Sequence, residues 1–491
     1  MDSISPDPES EPLKEVEEVK ENKAAWWCWP VILIVLVLFA VVAPRLEEQS
    51  VDELSEEASD VSEEERTLLI PEPDWSQIAV LKLQGQMAIA ASTVKKSDAE
   101  VMVKDLEASV SGPFPVASFA ILVQFLDLDP GDALRSVEMV EREMEKEKAP
   151  KEFLTLVQGG MQNGVTDRER ERLEKGVGWF AKLLPENSKG EKTDSPFAEK
   201  VRNKAFVVLA VVGVVFGIGI FAMIAGAILL TIYLTMRSGD PQIQKFNPKA
   251  GPSGVLLEAF AIYLAIMAFG EIGGHFLHWT LSIICYPLSF IVAIFWPKIR
   301  GYNWATIRES IGWHRGRGFF REVGAGIVSY IGILPIAAIG ITLTGLLLMF
   351  VEYVPTIGAE AAGGEAATAT EGRAVPHVSH PIIGAILQGG ILIKLLCLLL
   401  ASGFAPFIEE TLFRGALHRH LRGRLGFLVA ALIGGLVFAA LHPQGWIAIP
   451  ALTGMGIGFA LIREWRDSLI APMVAHAINN GLIVGLFAFL L

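Results

Sequence analysis

Ala405-Pro-Phe-Ile-Glu-Glu-Thr-Leu-Phe-Arg-Gly415 sets two adjacent glutamates, Glu409 and Glu410, and an arginine, Arg414, inside otherwise apolar sequence. A carboxylate at bilayer depth costs about 2.5–3.5 kcal/mol on insertion scales, so it is kept where it is paired, hydrated or functional. On a helix, Glu410 and Arg414 are i and i+4 and share a face. Glu409 points about 100° away from Glu410. One carboxylate therefore has a local partner and the other is free for chemistry.

The surrounding chain decides what kind of solvent this motif meets. With 491 residues, 52% of them hydrophobic, and a mean hydropathy of +0.45, the composition is that of a polytopic membrane protein. The net charge of -13 comes largely from segments near the N-terminus and argues against a nucleic-acid partner. Cys28, Cys285 and Cys397 lie in apolar runs without metal-type spacing, so they read as packing residues and not as disulfides.

Apolar runs of spanning length occur near 205–236, 254–270, 276–296, 324–351, 382–404, 426–442, 447–462 and 469–491. With an N-terminal anchor at 26–44, whose tryptophans sit at one interface, they predict an all-α bundle. It has about eight core helices plus the anchor, together with a small helical soluble domain. The expected organisation is a disordered acidic tail at 1–25, the anchor at 26–44, an acidic linker at 45–66, the soluble domain at 67–186, a linker at 187–204 and the multi-span domain at 205–491. An uncleaved anchor is the better reading of the first apolar run, because the stretch before it is long and acidic and no small-x-small cleavage site follows. Lys298, Arg300, Arg308, Arg315, Arg317 and Arg321 follow the fourth span, and the positive-inside rule makes that loop cytoplasmic. Alternation then puts the basic patches at 419–424 and 463–466 on the same side, and the soluble domain and the acidic 352–381 loop outside. Lys200, Arg202 and Lys204 run mildly against this orientation.

Within 67–186 the pattern is helical. Ser97 with Glu100 and Thr166 with Glu169 have capping-box spacing, and Asp129-Pro130 resembles an N-cap and N1 pair opening a charged helix to about Lys148. Leu173, Val177 and Phe180 share one face. This stretch shows no catalytic constellation and reads as a spacer or a module for a protein partner.

Two further polar islands follow the glutamates. His442 closes Phe438-Ala-Ala-Leu-His442, and His476 and Asn480 are i and i+4 in His476-Ala-Ile-Asn-Asn480. Each falls on a different predicted helix, and bundled helices can bring such faces around one cavity. A glutamate and a histidine can deprotonate water, while an imidazole and a carboxamide can donate hydrogen bonds to an oxyanion. Glu409, His442 and His476 could equally supply three zinc ligands and leave a position for water. There is no H-E-x-x-H helix, so the residues leave metal use open.

Glu409-Glu410-x-x-x-Arg414, Phe438-x-x-x-His442 and His476-x-x-x-Asn480 resemble, in order, the three motifs of the CPBP family of intramembrane proteases. That family includes type II CAAX prenyl endopeptidases and Abi-type proteins. The resemblance covers roughly 380–491 and reaches neither the anchor nor the 67–186 segment. It implies a membrane-associated peptide or protein substrate, CAAX-type or leader-peptide. It also implies Glu409 as the base activating water with His442, His476 and Asn480 as the oxyanion site, and Glu410 as a carboxylate held by Arg414. The family has been described both as zinc metalloproteases and as metal-independent glutamate proteases. Two other readings remain: a catalytically silent immunity or scaffold protein of the same fold, and a transporter using the carboxylates as a proton relay.

Other polar residues read more plainly. Glu271, His275 and His278 sit beside Gly270, Gly273 and Gly274 between two spans and suggest an interfacial turn. Glu258 and Lys394, each within an apolar span, are candidates to pair with one another or to line the cavity. Pro406 can kink or start the helix that carries the glutamates.

Overall fold

The computed structural model describes residues 23–39, 73, 75–107, 110–127, 130–146, 151–188, 191–193, 196–239, 253–278, 280–361, 385–387 and 389–490. Most of the 1–25 tail, the whole 45–66 linker, the Asp129 cap and the loop at 362–384 lie outside them.

The protein is an all-α, multi-pass integral membrane protein. Among the described residues, seven helices are long and apolar enough to cross a bilayer. They are α8 (Pro196–Gly239), α9 (Ser253–Phe276), α10 (Thr280–Ile299), α12 (Phe319–Ala361), α13 (Ile391–Arg422), α15 (Ile449–Arg466) and α16 (Ile470–Leu490). Two expected spans are shorter: α1 (Cys28–Val37) and α14 (Phe427–Ala440). The expected span at 382–404 does not stop before the glutamates. Its helix runs on through them to Arg422, because the motif is helical and its charges are satisfied inside the bundle.

The N-terminal helix does more than tether the chain. Cys28, Ile32 and Val35 of α1 are buried in one core with Leu257, Phe260 and Leu264 of α9 and with Leu412 and Phe413 of α13. The three cysteines are free and buried.

The polar loops sort to two ends. Residues 311–322, 418–424 and 463–469 meet at one of them. Arg466 pairs with Glu322 at 2.6 Å, Arg422 with Glu464 at 2.6 Å, and Ser468 Oγ donates to the His314 carbonyl at 2.8 Å. A short helix, α11 (Trp304–Ile311), lies in the first of these loops and is capped by Asn303 Oδ1, which accepts from Thr306 N–H at 2.8 Å. Three basic loops at one end are what the expected alternation of spans requires.

Residues 75–184 build a separate apolar core from α2 (Trp75–Val94), α3 (Lys96–Glu107), α4 (Pro113–Leu126), α5 (Pro130–Lys146), α6 (Lys151–Asn163) and α7 (Asp167–Val177). The apolar α4 is the buried axle of this unit, with Phe119, Ile121 and Leu122 all enclosed. A two-stranded hairpin, β1 (Glu186–Ser188) and β2 (Glu191–Thr193), follows. Thr166 and Glu169 form a full capping box at the start of α7. Ser97 does not cap: α3 already begins at Lys96, and Ser97 Oγ turns to Asp98 Oδ1 at 3.3 Å. Pro130 opens α5 as expected, and the helix ends at Lys146.

Two pairings differ from expectation. Glu258 does not meet Lys394: it accepts from Trp296 Nε1 at 2.9 Å and pairs with Arg300 at 3.2 Å. Lys394 donates to the Ala488 carbonyl at 3.3 Å. Each charge finds a partner on a neighbouring helix, which hydropathy along the chain cannot show. Glu271, His275 and His278 are exposed around the tight α9–α10 turn, where His278 Nδ1 contacts Thr280 Oγ1 at 3.0 Å.

Candidate active site

The helix carrying the glutamates is locally widened. Pro406 has no N–H for the Ser402 carbonyl, so a regular i+4 bond is missing there. The chain passes through a π-helical turn at Leu400–Phe404, an α turn at Ala405–Glu409 and a second π stretch at Glu410–Leu417. Such wide turns re-aim side chains and cluster at functional sites. Here one wide turn ends a single α turn before Glu409, and the second begins at Glu410.

Glu410 is fully buried. Its Oε1 accepts from Arg414 Nη1 at 2.9 Å and from His476 Nδ1 at 2.9 Å. The other arm of the guanidinium donates to the Gly456 carbonyl at 3.1 Å, and its plane lies 4.7 Å from the Phe438 ring and 5.1 Å from the Phe459 ring. Gly456 is at this crossing for steric reasons: a Cβ there would come within 2.7 Å of Gly435 Cα on α14. The close approach of α14 and α15 is what puts a backbone carbonyl within reach of Arg414.

Glu409 faces the other way, as its position on the helix predicts. Its Oε2 lies 3.9 Å from His442 Nε2 and 3.8 Å from His476 Nε2. This oxygen is buried, with no hydrogen-bond partner among the described residues. His442 lies just past the C-terminal end of α14, not within it. Its Nδ1 bonds the Phe438 carbonyl at 2.6 Å; a carbonyl only accepts, so Nδ1 carries the proton and a neutral His442 presents a bare Nε2 to Glu409. The Glu410 carboxylate likewise fixes a proton on Nδ1 of His476. His476 stacks on Phe459 with ring centroids 4.6 Å apart, and Phe438 contacts both imidazoles. Phe438 is thus the wall that holds two histidines from different helices against one carboxylate.

Glu409, Glu410, Arg414, Phe438, His442 and His476 are therefore brought together from α13, α14 and α16. Asn480 is on the expected face of α16 but turned to other work: its Nδ2 donates to the Ala401 carbonyl at 2.9 Å, and its Oδ1 accepts from Asn479. That bond satisfies a carbonyl at the first π turn.

Sequence reasoning missed several contributors. Trp313, from the basic loop, donates Nε1–H to Thr411 Oγ1 at 3.0 Å, and Thr411 donates to the Phe407 carbonyl at 2.7 Å. The Trp313 ring also stacks on Phe407, with centroids 5.5 Å apart. These residues carry no linear motif; the only signal was polar or aromatic character within apolar spans.

The donor set fits zinc poorly. Zinc bonds of 2.0–2.2 Å in a tetrahedral site put donor atoms about 3.4 Å apart. The carboxylate–imidazole separations here are 3.8 and 3.9 Å, and no group of three His, Cys, Asp or Glu among the described residues is arranged to hold a metal.

The family described as Type II CAAX prenyl endopeptidase Rce1-like matches residues 391–482. A membrane-embedded CAAX protease, MroQ, of Staphylococcus aureus (strain USA300) is 33% identical over 89 residues, which are 17% of this chain and 36% of that protein. The likeness thus spans about a third of the relative's length. No solved structure matches.

Proposed function

We propose, on the premise that this chain belongs through residues 391–482 to the Rce1-like family of type II CAAX prenyl endopeptidases, that it hydrolyses a peptide bond of a membrane-associated substrate. The observation that carries the reading is the convergence of a buried, unpartnered Glu409 Oε2 with two imidazole Nε2 atoms at 3.8 and 3.9 Å.

In this mechanism a water lies between Glu409 and His442. It donates one hydrogen to His442 Nε2 and the other to Glu409, which leaves an oxygen lone pair for the scissile carbonyl. Glu409 takes the proton as the C–O bond forms, a general-base step worth about 10²–10⁴-fold. His476, protonated on both nitrogens between Glu410 and Glu409, donates Nε2–H to the developing oxyanion. When the C–N bond breaks, Glu409 returns its proton to the leaving amine. Glu410 and Arg414 hold His476 and the helix in register and touch no reacting atom. Asn480 joins the oxyanion site on releasing the Ala401 carbonyl.

By likeness to the CAAX protease relative, the substrate class is a protein or peptide with a lipidated C-terminal segment. The test uses purified full-length protein in liposomes with a farnesylated CAAX-type peptide and its unmodified twin. Mass spectrometry should show a C-terminally shortened prenylated peptide, absent with Glu409→Gln. Cleavage of neither peptide would reject the CAAX-type substrate. Equal cleavage by wild type and Glu409→Gln would reject the mechanism.

A further inference from the structure

A cavity of about 530 Å³ lies between α8, α12 and α15 at the basic end of the bundle, lined among others by Leu229, Tyr233, Gly332, Leu461 and Trp465. It falls within the roughly 300–1,000 Å³ range of small-molecule sites. It is separate from the candidate active site: Phe459, the α15 residue stacked on His476, does not line it. Its walls are aliphatic apart from Ser329, whose hydroxyl donates to the Ala325 carbonyl, and three features near its mouth. Tyr233 and Trp465 pack edge to face with centroids 6.1 Å apart, as aromatic side chains do at the headgroup level. The third is Arg317.

Charge at that mouth does not balance. Glu322 is buried and bonded twice by Arg466, at 2.8 and 2.6 Å. The Arg317 backbone N–H also donates to Glu322, at 2.9 Å. The Glu322 carboxylate thus takes the Arg466 guanidinium, and Arg317 reaches it only through its backbone N–H. Arg466 is spent on Glu322, while Arg317 is exposed, with exposed Arg315 and Arg321 nearby in sequence. An apolar slot topped by an uncompensated cation matches a molecule with an apolar tail and an anionic head. Basic pockets between spanning helices on the cytoplasmic side bind anionic headgroups by this arrangement.

We propose that this cavity is a binding site for one anionic phospholipid, with an acyl chain between Leu229, Gly332 and Leu461 and the phosphodiester on Arg317. Bound there, the lipid ties α8, which is joined to the 75–184 helical unit, to α12 and to α15, whose Gly456 and Phe459 pack on the candidate active site. The occupant shares no residue with the proposed hydrolysis, so the two readings stand or fall separately.

The test offers the purified full-length protein an equimolar mixture of phosphatidylglycerol and phosphatidylcholine in detergent and counts retained lipids by native mass spectrometry. One phosphatidylglycerol should be retained, with a preference over phosphatidylcholine of about fivefold for the single arginine. Arg317→Gln should abolish the preference. Gly332→Leu, which fills open space in the slot, should remove the lipid itself while leaving Arg317 in place. Equal retention of the two lipids by wild type overturns the proposal, as does an unchanged preference in both variants. Stoichiometric displacement of the lipid by a farnesylated peptide would assign the slot to substrate instead and likewise overturn it.

Discussion

Replacing Arg414 by methionine probes the frame of the site at its most buried point. The Arg414 and Glu410 side chains are 3% and 0% exposed. The guanidinium makes two directed bonds, to Glu410 at 2.9 Å and to the Gly456 carbonyl at 3.1 Å. Methionine fills much of the volume but leaves Glu410 with only His476 Nδ1 as a donor. Stripping one partner from a buried pair costs about 3–5 kcal/mol. Arg414→Lys keeps the charge but cannot hold both acceptors through one planar fork; losing a single charge-assisted bond costs about 1.5–3 kcal/mol. The double variant Glu410→Gln/Arg414→Met removes the stranded charge and should be less destabilised than the sum of its parts, with a coupling of about 0.5–3 kcal/mol. The assay is unfolding in mixed micelles titrated with denaturing detergent and followed by tryptophan fluorescence. A methionine variant within about 1 kcal/mol of wild type, the scale of a solvent-exposed pair, would refute the reasoning.

Further outcomes follow from other parts of the molecule. Trp313→Phe and Thr411→Val should lower kcat on the cleavage substrate with little change in KM, and Thr411→Ser should restore it, because the hydroxyl closes the Phe407 carbonyl beside the widened turn; equal losses in the Ser and Val variants would count against that role. Burial, and then the charges of Lys394 and Lys182, lower the Lys82 amine from 10.5 to about 8. Its folded state therefore binds fewer protons than its unfolded state between those values, so stability rises with pH from about 8 to 10.5; Lys82→Met should remove that rise, and an unchanged pH profile would contradict it. Dialysis against a chelator should leave cleavage within about twofold of untreated protein, since general acid–base chemistry needs no metal; loss of activity restored by zinc would show that a metal takes part.

Much of the fold could be read because apolar length reports spans directly: the seven long helices sit on seven of the expected runs. Helix α13 shows where that reading fails. A hydropathy window ends at the first charges, yet Glu410, Arg414 and the Gly456 carbonyl neutralise one another, so the helix continues through the motif. The partners of isolated charges were equally opaque. Glu258 meets Arg300 and Trp296 because the α9–α10 hairpin brings them together, a contact set by tertiary packing. At the site, spacing separated the roles of Glu409 and Glu410, since 100° of helix turns them to different neighbours. Spacing also put Asn480 beside His476, but it could not show that a π turn at 400–404 leaves the Ala401 carbonyl for the Asn480 amide. Trp313 and Thr411 stand 98 positions apart, beyond the reach of any local pattern.

The central claim is that Glu409 takes the proton from the attacking water. Its most direct measurement is kcat for cleavage by Glu409→Gln, a variant of equal size that keeps the hydrogen-bonding outline and loses the base. If Glu409 is the base, kcat should fall about 10²–10⁴-fold, with folding unchanged in micelles. A Glu409→Gln enzyme turning over within about tenfold of wild type would contradict it.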